Sequence, residues 1–126
     1  MDTQLKFAPA FATLFVTLQP GESIVAESDA MASMSPHLEL HTHFNGGFAN
    51  AILRKLFGGE TLFINEFVCP VGGPPAELVL TQPTPGDVTR IDLKGNTLCL
   101  QPGAFLACGT GVTMSLDWAG FTSWIN

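Results

Sequence analysis

Apolar and polar residues alternate in short runs along most of this chain, and turn-forming residues separate the runs. Alternation with a period of two is typical of strands that bury one face. The sequence therefore predicts an all-β fold in a single domain, residues 1-126. The predicted strands are Leu14–Leu18, Ser23–Glu27, Ala30–Met34, His37–Phe44, Leu62–Cys69, Glu77–Thr81, Val88–Leu93, Thr97–Gln101, Ala104–Cys108 and Val112–Trp118.

One segment, residues 48–57, departs from the strand pattern. Its apolar residues recur at helical spacing, and pairs of glycines flank it on both sides, so a short helix of about three turns is predicted. Two sheets supply a core without this helix, so we expect its apolar face to contact a neighbouring subunit, a protein partner or a peripheral membrane surface. The residues predicted at this interface are Phe48, Ile52, Leu56 and Phe57.

Two parts of the chain, 21-40 and 95-114, match in chemical class at nearly all positions, which indicates an internal repeat. We predict that both form equivalent strand–turn–strand–strand units. Pro102-Gly103 in the second part predicts a type II turn. Such turns splay the strands of a hairpin, so the runs on either side are expected to cross between two sheets. A two-sheet β-sandwich or β-roll follows.

Composition adds an expectation about assembly. Charged residues are 13% of the chain against about 25% in an average globular protein, and the net charge is -6. This deficit indicates a surface partly covered by protein, and we predict a homo-oligomer.

Five Lys and Arg residues are too few for a nucleic-acid-binding surface. No apolar run is long enough to form a transmembrane segment. Because no signal peptide is evident, a cytoplasmic protein is predicted.

The three cysteines, Cys69, Cys99 and Cys108, are odd in number and form no CxxC pair. They lie in apolar, strand-like runs. This placement is typical of reduced thiols in the core of an intracellular protein.

The three histidines and one glutamate give the chain its main candidate for chemistry. On a strand, His37, Glu39, His41 and His43 share one face. Imidazole and carboxylate together suit zinc, iron or manganese, so a metal-dependent cupin-like enzyme is one alternative. The glutamate that follows the first two histidines of a cupin motif is missing. The favoured interpretation is a solvent-accessible polar strand face with no metal and no cofactor.

Other polar residues favour structure over catalysis. Glu60 and Glu66 are interpreted as solvated carboxylates, and Asp87 as a turn residue that accepts backbone hydrogen bonds. The chain has no Gly-x-Ser-x-Gly elbow and no phosphate-binding glycine loop. No catalytic residue is predicted.

Four segments in order resemble a known family: Pro20–Met31, Gly58–Phe67, Pro83–Val88 and Gln101–Ala107. The family is the altered-inheritance-of-mitochondria (Aim twenty-four) family. The resemblance implies a β-sandwich like that of the tryptophan RNA-binding attenuation protein, without RNA-binding chemistry or known catalytic residues. Family members are roughly twice as long, with a second half that repeats the first. This chain therefore resembles an N-terminal half with a β edge that lacks its partner.

The expected function is that of a non-catalytic, homo-oligomeric binding or scaffold protein. The family resemblance implies a link to the assembly or maintenance of membrane-associated complexes. Besides the metal-dependent enzyme, a second alternative is a small-ligand carrier with a pocket between the two sheets.

Overall fold

The structure is a computed structural model and describes residues 1–44 and 63–114. The predicted helix, with Phe48, Ile52, Leu56 and Phe57, lies outside the described residues. Two short 3₁₀ turns, Ser28–Ala30 and Pro102–Ala104, accompany the strands. The described strands are β1 (Asp2–Lys6), β2 (Thr13–Leu18), β3 (Ser23–Glu27), β4 (Met31–Met34), β5 (Glu39–Phe44), β6 (Phe63–Val68), β7 (Ala76–Thr81) and β8 (Ala107–Gly109).

The strands form two four-stranded antiparallel sheets, which confirms the predicted all-β fold. The strand order is β1-β2-β7-β4 in the first sheet and β5-β6-β3-β8 in the second. Strands that are consecutive in the chain are mostly not neighbours, so the chain crosses repeatedly from one sheet to the other.

The core contains residues from both sheets. Leu18, Leu78 and Leu80 come from the first sheet, and Ile24 and Phe67 from the second. Alternate positions on each strand carry these side chains, as burial of one face requires. The two sheets therefore stabilise each other by burying their apolar faces together.

Two turns carry the chain between the sheets on either side of β3. In the first, Glu22 N donates to Gln19 O at 2.9 Å, and Gly21 has a φ of 87°. With Pro20 at the first central position, this is a type II turn. In the second, the Glu27 carboxylate accepts from Asp29 N at 3.0 Å and caps the Ser28–Ala30 turn. β3 and β4 lie in different sheets, which confirms the predicted crossing for this segment.

Residues 95-114, the second part of the predicted repeat, do not have the strands of residues 21-40. The predicted strands Val88–Leu93 and Thr97–Gln101 are not strands in the structure, and Ala104–Cys108 is reduced to β8. Residues 112–114 lie in no strand, and the rest of Val112–Trp118 is outside the described residues. The prediction of equivalent strand pairing in 21-40 and 95-114 is therefore wrong. The physical reason is that 97–101 has no neighbouring strand within the described chain.

The turn at Pro102-Gly103 is also different from the prediction. Gly103 does not have the positive φ that a type II turn requires, and Ala104 N donates to Gln101 O at 2.9 Å within the 3₁₀ turn. Proline at the first central position fits a type I turn equally well, and glycine permits a positive φ without imposing one.

β1 was not predicted, because four of its five residues are polar or charged. It is the edge strand of the first sheet and pairs with β2 from Asp2↔Thr17 to Lys6↔Thr13. An edge strand needs only one neighbour and little apolar character, so alternation is a weak signal there.

Candidate functional site

The outer face of the second sheet carries Glu39 and His41 from the polar cluster that the sequence singled out. β5 pairs with β6 so that His41 lies opposite Glu66 and His43 opposite Ile64. His41 Nε2 is 3.6 Å from Glu39 Oε2, and both side chains are exposed. For Glu39 and His41, the predicted solvent-accessible strand face is confirmed.

His37 does not belong to this face, so its predicted place beside the other histidines is wrong. Ser35 to Leu38 form a turn in which Leu38 N donates to Ser35 O at 3.1 Å, and Pro36 occupies the first central position. β5 begins only after this turn, at Glu39. His37 Nε2 lies instead 3.2 Å from Pro74 O.

Ser23 and Glu66 meet on the same sheet. The Ser23 hydroxyl donates to Glu66 Oε1 at 3.0 Å between β3 and β6. A side-chain hydrogen bond between neighbouring strands is an ordinary contact in a sheet.

Within the described residues, no three His, Cys, Asp or Glu side chains are grouped as metal ligands. The metal-dependent alternative gains no support from this part of the chain. Glu60, the other carboxylate considered in the sequence, lies outside the described residues.

Two clefts open at the surface of the described chain. The larger has a volume of about 420 Å³ and the smaller about 170 Å³. The larger is lined by Met1, Gly21, Glu22, Ser23, Gly109, Thr110 and Gly111. Core side chains from both sheets form one cluster between the sheets. Neither of these two clefts is lined by the core side chains, so they give the ligand-carrier alternative no support.

Glu22, at the rim of the larger cleft, is held by two donors. Its Oε1 accepts from the Met1 ammonium group and its Oε2 from Gln19 N at 2.8 Å. The hydrogen bond from the ammonium group, together with the backbone donor, keeps the pKa of Glu22 below its ordinary value.

Because folding lowers the pKa of Glu22, we expect the stability of the protein to fall at acidic pH. A carboxyl whose pKa is lowered by folding stabilises the protein above its unfolded pKa, and this stabilisation is lost as pH falls through the folded pKa. Thermal melts between about pH 6 and about pH 3 should therefore show a smaller fall in Tm for Glu22→Gln than for the native chain. Glu77→Gln, at an exposed carboxyl on β7, is the control and should leave the fall in Tm unchanged. An equal fall in Glu22→Gln would contradict the prediction.

Five consecutive apolar residues, Phe7-Ala8-Pro9-Ala10-Phe11, lie in the connection between β1 and β2, and all five are exposed. We call these five residues the aromatic loop. Phe7 is 66% exposed and Phe11 67% exposed. Sequence reasoning missed this loop. Its signal was present, since a loop with no polar side chain is unusual between two strands.

Hydrogen bonds fix the backbone of the aromatic loop. Phe11 N donates to Phe7 O at 3.1 Å, Gly86 N donates to Ala10 O at 2.6 Å, and Ala12 N donates to Gly86 O at 3.0 Å. The Phe7 ring also meets Phe15 edge to face, with centroids 6.3 Å apart. The loop therefore displays two phenyl rings from a defined backbone.

Lys6 Nζ lies 4.6 Å from the centroid of the Phe15 ring, a cation–π contact beside the aromatic loop. The positive charge is thus placed next to the exposed phenyl rings. It is one of five Lys and Arg residues in the chain.

A second exposed apolar surface lies on residues 88–101, which we call the 88–101 segment. Ile91, Leu98 and Leu100 are exposed in it. The chain reverses at Lys94-Gly95, where both residues have a positive φ and Asn96 N donates to Leu93 O at 2.8 Å. Positive φ at both central positions is the requirement of a type I′ hairpin turn.

The cysteines are all free thiols, and they differ in burial. Cys69 is buried, with Sγ 3.5 Å from Pro74 O, as a core thiol was predicted to be. Cys99 is exposed, so its predicted place in the core is wrong, because 97–101 is not part of either sheet. Cys108 is half-buried, and this burial raises the pKa of its thiol.

Asp87 has the role predicted for it. Its Oδ1 accepts from Val88 N at 2.8 Å, and its backbone oxygen accepts from Gln82 Nε2 at 3.0 Å. It shapes the chain beside Gly86, the residue that anchors the aromatic loop.

No helix in the described part of the chain has the length and apolar character needed to cross a bilayer. A similar protein, an uncharacterised protein of Streptococcus pyogenes serotype M6, is 26% identical over 117 residues. The match covers 85% of this chain and 46% of that protein, so the chain spans about half the length of its curated relative.

A crystal structure of another Streptococcus pyogenes protein matches with 23% identity and a TM-score of 0.48, covering 67% of this chain and 38% of that one. The family of the chain is shown by a match to the mitochondrial biogenesis AIM24 family over residues 4–126, essentially the whole sequence. The chain therefore belongs to the mitochondrial biogenesis AIM24 family, as its motifs predicted.

Proposed function

We propose that this protein is a non-catalytic binding or scaffold protein of the cytoplasm that assembles with copies of itself and with a protein partner. The family is described as one of mitochondrial biogenesis, and the resemblance noted in the sequence analysis implies partners in membrane-associated complexes. The observation that carries the proposal is the aromatic loop, which holds Phe7 and Phe11 in solvent on a hydrogen-bonded backbone.

Two exposed phenyl rings supply binding energy that the isolated chain does not use. Burying one such side chain contributes about 1.5–3 kcal/mol. Aromatic residues are enriched at the centres of protein interfaces and among the residues that dominate binding energy. Because the loop backbone is already fixed, little conformational entropy is lost when it binds.

The charge of the chain favours a protein partner over a bilayer. The net charge is -6, and an anionic membrane surface repels such a chain. Lys6 is the basic residue beside the aromatic loop, whereas peripheral membrane binding usually needs a cluster of basic residues. We therefore expect the partner to offer an apolar pocket with an acidic residue at its rim.

The proposal is tested by photo-cross-linking inside cells that produce the protein naturally. A photoreactive phenylalanine analogue at position 7 should cross-link one dominant protein. The same analogue at position 71 is the control, because Val71 is also strongly exposed but lies in the β6–β7 turn. The purified partner should then bind the native chain more tightly than Phe7→Ser/Phe11→Ser, by at least about tenfold in Kd.

Circular dichroism should show that this double variant remains folded, since both side chains are on the surface. Equal cross-linking from positions 7 and 71, or unchanged affinity of the double variant, would contradict a binding role for the loop. A native mass spectrum of the purified protein would report the number of subunits, and a monomer at all concentrations would contradict self-assembly.

A further inference from the structure

Residues 97–101 have the side-chain pattern of a buried strand but none of its burial. Along the two matched parts of the sequence, Leu98 aligns with Ile24 and Leu100 with Ala26. On β3, Ile24 is 3% exposed and Ala26 0%, whereas Leu98 is 44% exposed and Leu100 51%. The same apolar positions are in the core in one case and in solvent in the other.

Turns flank both β3 and residues 97–101, and the turn before β3 is of type II whereas the turn before residues 97–101 is of type I′. Gly21 and Gly95 have φ values of 87° and 85°. The bond from Glu22 N to Gln19 O has its counterpart in the bond from Asn96 N to Leu93 O. Each segment is followed by a 3₁₀ turn, at Ser28–Ala30 and at Pro102–Ala104.

Within residues 1–44 and 63–114, the segment 97–101 has no neighbouring strand. β3 is hydrogen-bonded to β6 on one side and to β8 on the other. In the described chain, residues 97–101 pair with no strand. A segment with strand-like alternation, preformed turns and unpaired backbone groups is a template for adding a strand from another chain.

The sequence of this segment is suited to pairing with itself. Thr97-Leu98-Cys99-Leu100-Gln101 contains no charged residue, in a chain whose net charge of -6 otherwise opposes self-association. Antiparallel pairing centred on Cys99 places Leu98 opposite Leu100 and Thr97 opposite Gln101. Apolar residues then face apolar residues, and no like charges are opposed.

We propose that residues 97–101 of two copies of this chain pair as antiparallel strands around a two-fold axis at Cys99. The pairing closes a symmetric dimer, because each copy offers the same edge to the other. The two Leu98–Leu100 pairs then form a shared apolar cluster. This inference rests on the self-assembly part of the proposed function and names its site.

Two variants at one position test the pairing by sedimentation of the 126-residue chain. Cys99→Asp places two carboxylates directly opposite each other only in this dimer, and we expect it to weaken dimerisation by more than about tenfold. Cys99→Ser is the matched control and should dimerise as the native chain does. Leu98→Asp is a second variant that removes the apolar pairs and should also give a monomer with an unchanged circular dichroism spectrum.

A disulfide trap tests the register. Directly opposed residues of antiparallel strands have Cα atoms about 4.5–5.5 Å apart, within the range a disulfide spans. When diamide oxidises the native dimer, two Cys99 thiols should give up two protons and two electrons to it and form one Cys99–Cys99 bond. Mass spectrometry should find this bond, with Cys69 still a free thiol.

Two results would overturn the inference: a native chain that stays monomeric at all concentrations, or a dimer that Cys99→Asp and Leu98→Asp leave intact. The photoreactive phenylalanine analogue at position 7 tests partner binding by the aromatic loop separately from dimer formation by residues 97–101. In Cys99→Asp it should cross-link the same partner protein as in the native chain, because the two surfaces share no residue.

Discussion

Replacing Phe67 with alanine is expected to lower the free energy of unfolding by about 3–5 kcal/mol. Phe67 is completely buried and is the largest fully buried side chain in the described part of the chain. It lies on β6 between Ile24 of β3 and Leu40 of β5. Its removal leaves a cavity where the second sheet packs on the first. Domains of this size are stabilised by only about 5–15 kcal/mol, so the variant should be close to unfolding.

Urea denaturation followed by circular dichroism measures this loss. Val71→Ala is the control, because Val71 is strongly exposed in the turn between β6 and β7 and should change stability by no more than about 0.5 kcal/mol. A loss of less than about 1 kcal/mol in Phe67→Ala would show that the two sheets do not share the core described above.

The second large effect is expected at Asn65, the one buried polar side chain among the described residues. Its Oδ1 accepts from the Thr42 hydroxyl at 3.0 Å, and its Nδ2 donates to Ser28 O at 3.4 Å. Asn65→Ala removes both hydrogen bonds, and the half-buried Ser28 carbonyl loses this donor whereas the exposed Thr42 hydroxyl can turn to water. We expect a loss of about 1–3 kcal/mol.

A double-mutant cycle shows whether the loss comes from these bonds. Thr42→Val removes one partner of Asn65 while keeping the shape of the side chain. The double variant Thr42→Val/Asn65→Ala should lose less than the sum of the two single variants, by at least about 0.5 kcal/mol. Strict additivity would show that the Thr42–Asn65 bond contributes nothing to stability.

Alternation predicted most of the strands because each of them has a neighbour to pair with. β3 was predicted with the observed bounds, and β7 differs by one residue. The equally regular pattern of 97–101 predicted a strand that the structure lacks. A period of two indicates which face a strand would bury, whereas pairing depends on a partner that the local sequence does not contain.

At the candidate sites too, the local sequence does not show which distant residues come together. Strand periodicity placed Glu39 and His41 on one exposed face, but it could not reveal that Pro36 starts a turn which removes His37 from that face. The aromatic loop could have been suspected from its composition. Its fixed backbone could not, because the anchoring residue Gly86 is distant in the sequence.

The strand order has a consequence for how the chain folds. β7 is hydrogen-bonded to both β2 and β4, so the first sheet cannot form until Thr81 has met Thr13. The second sheet obtains its last strand only when Gly109 reaches Ile24. Folds dominated by such distant pairings typically fold in milliseconds to seconds. During synthesis, the early strands of this protein therefore leave the ribosome well before their neighbours, and their edges stay open until those neighbours arrive.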